Sequence, residues 1–185
     1  MLRCLVLVTV LLWTSAASAQ PSVREGRGFA WGGLVVVPVP LGELRYVEAA
    51  APAPYYAPGA GVLGRLGWEL PEGLGLYATF AVQAFAVEAQ PAMQRYRGGL
   101  ELRWTIETGS AVLPFVGVGG AVEFFSRSGA LGTTGGLFGG GGVAFAVAPW
   151  AQVEMGVELS AVFPGAAFVD TIWLLTPALG GTFFF

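Results

Sequence analysis

The stretch RYRGGLELRWTIE, residues 95–107, puts Tyr96, Gly98, Leu100, Leu102, Trp104 and Ile106 at even positions and Arg95, Arg97, Glu101, Arg103 and Glu107 at odd ones. A helix would scatter both sets around its circumference. A strand, whose side chains alternate between two faces, collects one apolar face and one charged face. The same phase recurs in residues 62–70, where Val62, Leu66, Trp68 and Leu70 oppose Arg65 and Glu69. In residues 76–85, Leu76, Phe80 and Val82 oppose Tyr77, Thr79 and Gln83; in residues 151–160, Val153, Met155, Val157 and Leu159 oppose Gln152, Glu154, Glu158 and Ser160. Less polarised strands fit residues 27–39, 112–125, 137–148 and 172–185, so the pattern predicts eight strands.

The connections carry a second signal. PEG at Pro71, TGS at Thr108 and APW at Ala148 are tight, whereas the segments from Leu41, Glu88, Ser126 and Pro164 are longer. Tight and long alternate along the chain, which for antiparallel neighbours sends all tight turns and both termini to one end. An all-β, eight-stranded up-and-down meander closing into a transmembrane barrel has this layout, with short periplasmic turns and longer outer loops.

Composition agrees with strands of this kind. The 185 residues are 55% apolar and 11% charged, with 29 glycines, far from the globular norm of about 25% charged residues. The uncharged run 128–153 is too interrupted by GGLFGGGG and Pro149 to be a spanning helix. Net charge is −3 with no lysine, so no basic surface for nucleic acid is expected. Residues 1–19 combine Arg3, an apolar run from Leu5 to Trp13 and Ala17-x-Ala19, which predicts an export signal cleaved after Ala19. Residues 20–26 then form a short periplasmic lead-in, and residues 27–185 the barrel. Cys4 precedes the apolar run and leaves with the signal, so the mature chain has no thiol chemistry.

Alternation alone does not say which face is wet, because a soluble barrel turns its apolar face inward. The aromatic residues bear on this. Trp31, Trp68, Trp104, Trp150, Phe183 and Phe185 share the apolar face at the tight-turn end, and Tyr96, Phe124, Phe163 and Trp173 share it at the other. Two aromatic belts around a band of small aliphatic residues match a bilayer cross-section. The mature chain thus resembles the small outer-membrane barrels of the OmpA and OmpX type. That resemblance implies an assembly signal in the last strand, carried here by Gly180, Phe183 and Phe185 and read by the barrel-assembly machinery. Ala178 departs from the polar residue usual in that signal. It also implies a lipid-embedded monomer in the outer membrane; unlike in the longer OmpA-like proteins, no periplasmic domain is expected after the last strand.

Histidine is absent, which removes the Ser-His, Cys-His and zinc arrangements, and no cofactor or enzymatic activity is expected. GGGGVA at Gly139 has dinucleotide-loop spacing but no helix to follow it. The inward charges are the remaining candidates: Glu69, Arg103 and Glu154 low in the barrel, Arg65 and Glu101 near the middle, and Arg97, Glu123 and Glu158 higher. They form either a ladder of ion pairs filling the interior or a gated narrow pore or proton path, an open lumen being favoured if Gly117 and Gly119 keep it so. The expected role is a non-enzymatic one, in envelope structure or in surface contact through long loops such as the tyrosine- and proline-rich segment with Tyr46, Tyr55 and Tyr56. A narrow channel or transporter for small or apolar solutes, and a secreted soluble ligand-binding barrel, are the alternatives.

Overall fold

A computed structural model describes residues 28–41, 57–87, 90–127, 130–165 and 170–185. The predicted export signal and lead-in, and most of the first loop with its three tyrosines, lie outside the described residues. The described chain is built from strands: β1 (Phe29–Val36), β2 (Val39–Leu41), β3 (Ala60–Glu69), β4 (Leu74–Val87), β5 (Gln90–Thr105), β6 (Val112–Arg127), β7 (Ala130–Ala148), β8 (Ala151–Val162) and β9 (Ile172–Phe184). Each from β3 onward pairs antiparallel with the next, and β1 pairs with both β3 and β9, which closes the sheet. Because β1 and β2 occupy one position in the circle, nine segments make an eight-stranded barrel.

Closure runs to the last residue. Ala30 is opposite Phe184, Trp31 opposite Phe183, and the Phe185 amide donates to the Phe29 carbonyl at 2.9 Å. Positive φ at Gly73 and Gly109 allows the tight turns after β3 and β5. The break between β1 and β2 falls at Val37–Pro38. The Val37 amide donates to Pro177 on β9, and the Pro38 carbonyl accepts from Gly59 on the β3 side. Alternate residues therefore address alternate neighbours, and Pro38 and Pro40 turn an edge lacking N–H groups toward β3. The ladder on that side stops there, while β2 keeps its pairing with β9.

Two expectations change. The segments from Glu88 and Ser126, read as long loops, lie largely within paired strand: β4 and β5 stay in register to Val87 and Gln90, and β6 and β7 to Arg127 and Ala130. Strict alternation of short and long connections therefore does not hold. Hairpin arms replace two of the four loops because backbone pairing needs no polarity contrast, and ALGTTGG offers none. Along these arms the inward residues Phe85, Met93 and Phe125 join Val162, Ile172 and Leu174 in an apolar cluster across the long-loop end of the lumen. A second cluster, Leu113, Phe115 and Ala144, lies toward the tight-turn end.

Candidate functional site: the charged interior and the aromatic surface

Alongside these clusters and a third of Leu34, Val36, Leu63 and Ala81, the lumen is ionic. Period two sends the odd residues of β3 to β6 and the even residues of β7 to β9 inward, so every strand from β3 onward delivers a polar side chain to the same axis. Arg65 on β3 spans the barrel: its Nε donates to Glu101 Oε2 at 3.1 Å and its Nη1 to Glu154 Oε2 at 3.0 Å. Glu154 is the hub of the lower network. It also accepts from Arg103 Nη1 at 2.7 Å, Gln152 Nε2 at 2.8 Å and the Thr182 hydroxyl at 2.5 Å. Glu69 accepts the Tyr77 hydroxyl at 2.8 Å at the floor.

Higher up, Arg97 donates to Glu158 through both terminal guanidinium nitrogens, Nη1 to Oε1 and Nη2 to Oε2, the latter at 3.0 Å. Arg95 forms a fork on Glu123 at 2.7 and 2.6 Å and donates to Gln83 at 2.8 Å. Guanidinium groups also lie over aromatic rings: Arg103 over Phe115 at 3.7 Å, Arg97 over Phe138 at 4.4 Å and Arg65 over Tyr77 at 5.6 Å. Planar cations held between carboxylates and rings in a low-dielectric interior have little freedom to move.

All eight charged residues singled out from the pattern lie inside, and a ninth, Arg95, joins them with no exposed surface. Its signal was its phase, two residues before Arg97 on the charged face of residues 95–107. The cross-lumen partners carried no such signal. Arg97 is directly opposite Glu123 in the β5–β6 ladder, yet it pairs across the barrel with Glu158 while Glu123 takes Arg95.

Gly117 and Gly119 do not widen the lumen. A Cβ on Gly117 would sit 2.6 Å from Glu101 Oε1, and one on Gly119 would run into the Phe138 ring. These glycines are the seats on which large inward side chains rest, and at Gly119, where a Cβ would also meet the Leu100 carbonyl, the packing excludes any larger residue without a shift. Gly119→Ala is accordingly expected to cost about 1–3 kcal/mol in unfolding free energy, measured by urea titration of vesicle-refolded protein. A neutral result would mean that Phe138 can swing away. A cavity of about 50 Å³ lies beside Arg65, Glu101 and Glu158, walled by Leu34, Leu63, Phe115 and Phe138. It has room for several waters. Among the described residues no cluster of acidic side chains could hold a metal ion.

The outer face is the inverse. Trp31, Trp68, Trp104 and Trp150 are exposed at the tight-turn end, Trp68 to 57%, and Trp173 is exposed at the other with Tyr96, Phe124 and Phe163. Between them the exposed residues are Val, Leu, Phe and Met. Along β9, ten residues separate Phe183 from Trp173, which at strand rise and barrel tilt spans about 25 Å, the height of the apolar band of such barrels. Phe183 stacks on Trp31 at 4.9 Å and on Trp150 at 6.1 Å, joining β1, β9 and β8. Phe185 by contrast is 76% exposed.

No protein-family profile and no curated protein matches this sequence. The fold is similar to two solved structures of small bacterial barrels. The crystal structure of Neisserial surface protein A shares 17% identity over 87% of this chain and 100% of its own, with a TM-score of 0.66. That of the outer membrane protein OprG from Pseudomonas aeruginosa shares 14% identity over 89% and 99%, with a TM-score of 0.62. The architecture is thus that of the small eight-stranded outer-membrane barrels.

Proposed function

We propose that this chain is a non-enzymatic, monomeric outer-membrane β-barrel whose interior is a fixed ionic plug and whose outer end makes envelope or surface contacts. The observation that carries this reading is the inverted polarity. Side chains as apolar as Trp68, Leu100, Val118 and Leu137 face outward, while arginines and glutamates are buried at the axis. In water that arrangement would leave a continuous apolar surface unsolvated, far beyond the few hundred Å² that soluble proteins tolerate. In lipid it is the low-energy one. It opposes a secreted soluble barrel directly, and the filled lumen opposes a channel.

The decisive experiment is membrane fractionation with heat-dependent migration in detergent gels. The protein is expected in the outer-membrane fraction, running faster unheated than boiled. Recovery entirely in the soluble periplasm would end the membrane reading. For the plug, the expectation in planar bilayers is no steady current from the native chain. Arg97→Ala and Arg103→Ala should lose stability and gain little conductance. Large, steady currents from the native protein would overturn it.

Gly180, Phe183 and Phe185 are proposed to form the signal by which the assembly machinery takes up the chain. The spacing of the two aromatic residues on the outward face of β9 supports this, as does the placement of Phe185 at the tight-turn end.

A further inference from the structure

Two closely packed layers lie above and below the cavity beside Arg65, Glu101 and Glu158. In the outer layer Phe85, Met93, Phe125, Val162, Ile172 and Leu174 are at most 5% exposed. In the lower one Glu154, Arg103 and Gln152 are at most 3% exposed. Between them Gly140 is exposed although it faces inward, and Gly156, Glu158 and Ala178, also inward, are half-buried. All four line the cavity, so the surface they keep is turned to it.

The polar groups around this cavity call for a partner. Thr176, 2% exposed, lines it and carries a hydroxyl with no hydrogen-bond partner among the described residues. It stands opposite Glu158, and Glu158 opposite Gly140, so one row across β9, β8 and β7 sets a hydroxyl and a carboxylate beside a residue with no side chain. The Glu158 side chain keeps 19% of its surface against 0% for Glu154, although both are paired with arginine. Leu34, Leu63 and Ala178, on the apolar wall, offer no side-chain donor or acceptor. A cavity stays dry when its walls are apolar, and a hydrocarbon ligand here would strip carboxylates and a hydroxyl of hydration. A polar occupant of small size, able both to donate and to accept, satisfies every wall at once.

We propose that the mid-lumen cavity is a closed water site, in which several waters bridge the Thr176 hydroxyl to Glu158, Glu101 and Arg65. The inference rests on the plug reading above and refines it: the plug is wet at mid-height and close-packed on either side. It is tested by radiolytic hydroxyl-radical footprinting of the vesicle-refolded mature chain, read by mass spectrometry, because radicals formed from an enclosed water oxidise the side chain beside it. Phe115 and Phe138 line the cavity, Phe85 and Phe125 belong to the outer layer, and all four rings are buried. Phe115 and Phe138 are expected to oxidise several-fold faster than Phe85 and Phe125. Thr176→Val, which keeps the shape and removes the hydroxyl, should lower that excess, and Ala178→Leu, which fills the cavity, should abolish it. Heat-dependent migration in detergent gels reports whether each variant is folded. Protection of all four rings, or an excess that survives unchanged in either folded variant, would overturn the water site and leave the plug standing. Equally fast oxidation of all four would overturn both, since water would then run the length of the lumen.

Discussion

Replacing Glu154 with alanine is expected to remove about 3–5 kcal/mol of stability, a large part of the about 5–15 kcal/mol a domain of this size has in total. The reason is its position as hub. Arg65 and Arg103 both end on Glu154 Oε2, and Gln152 and Thr182 both end on Oε1. Truncation leaves two guanidinium groups near one another in a buried lumen without their shared counter-charge, Arg65 keeping Glu101 and Arg103 losing its carboxylate. Glu154→Gln keeps the oxygen acceptor but not the charge and should fall between the two. Urea unfolding in vesicles measures the loss. A loss below about 1 kcal/mol for Glu154→Ala, the size expected of solvated pairs, would mean that water hydrates this region freely and that the interior is not a plug.

The second expected result separates two phenylalanines that the sequence presents as equals. Phe183 is held between Trp31 and Trp150 across the closing seam, so Phe183→Ala should cost about 2 kcal/mol at equilibrium, less than a fully buried ring because one edge faces lipid. Phe185 is largely exposed and touches the seam through its backbone. Deleting it should leave the stability of refolded protein within about 0.5 kcal/mol, yet sharply reduce the folded protein recovered from outer membranes of expressing cells. The pair of measurements distinguishes a residue that holds the barrel closed from one that brings it to the membrane. Normal cellular yields without Phe185 would remove it from the assembly signal.

The eight strands and the inward charges were legible because, inside the membrane, lipid and lumen impose opposite demands on successive residues; residues 100–105 show this at every step, whereas Glu107, past the end of β5, is exposed. Legibility fails where that contrast fades. At β7 the pattern placed the strand start near residue 137, whereas pairing begins at Ala130, because glycine and threonine in the arm carry no polarity signal. Alternation gives the height of Arg97 and Glu123 on adjacent strands, but the choice of partner is made across the lumen, where Glu158 reaches Arg97 and Arg95 takes Glu123. Gly117 and Gly119 misled in the opposite sense. A residue without a side chain suggests space, and only the fold shows that Glu101 and Phe138 occupy it.

The ion pairs of the lumen join residues that are remote in sequence: Arg65 and Glu154 are 89 positions apart, Arg97 and Glu158 61, and Arg103 and Glu154 51. None of these contacts can form while the sheet is an open ribbon. A partly inserted hairpin would hold its arginines and glutamates against hydrocarbon, each at a cost of several kcal/mol. Stepwise threading of strands through the bilayer is thus expected to be costly, whereas curling at the interface, with the charged face turned to a shrinking pocket of water, avoids that cost. The charges that lock the finished barrel therefore favour its closing before or during entry over strand-by-strand insertion.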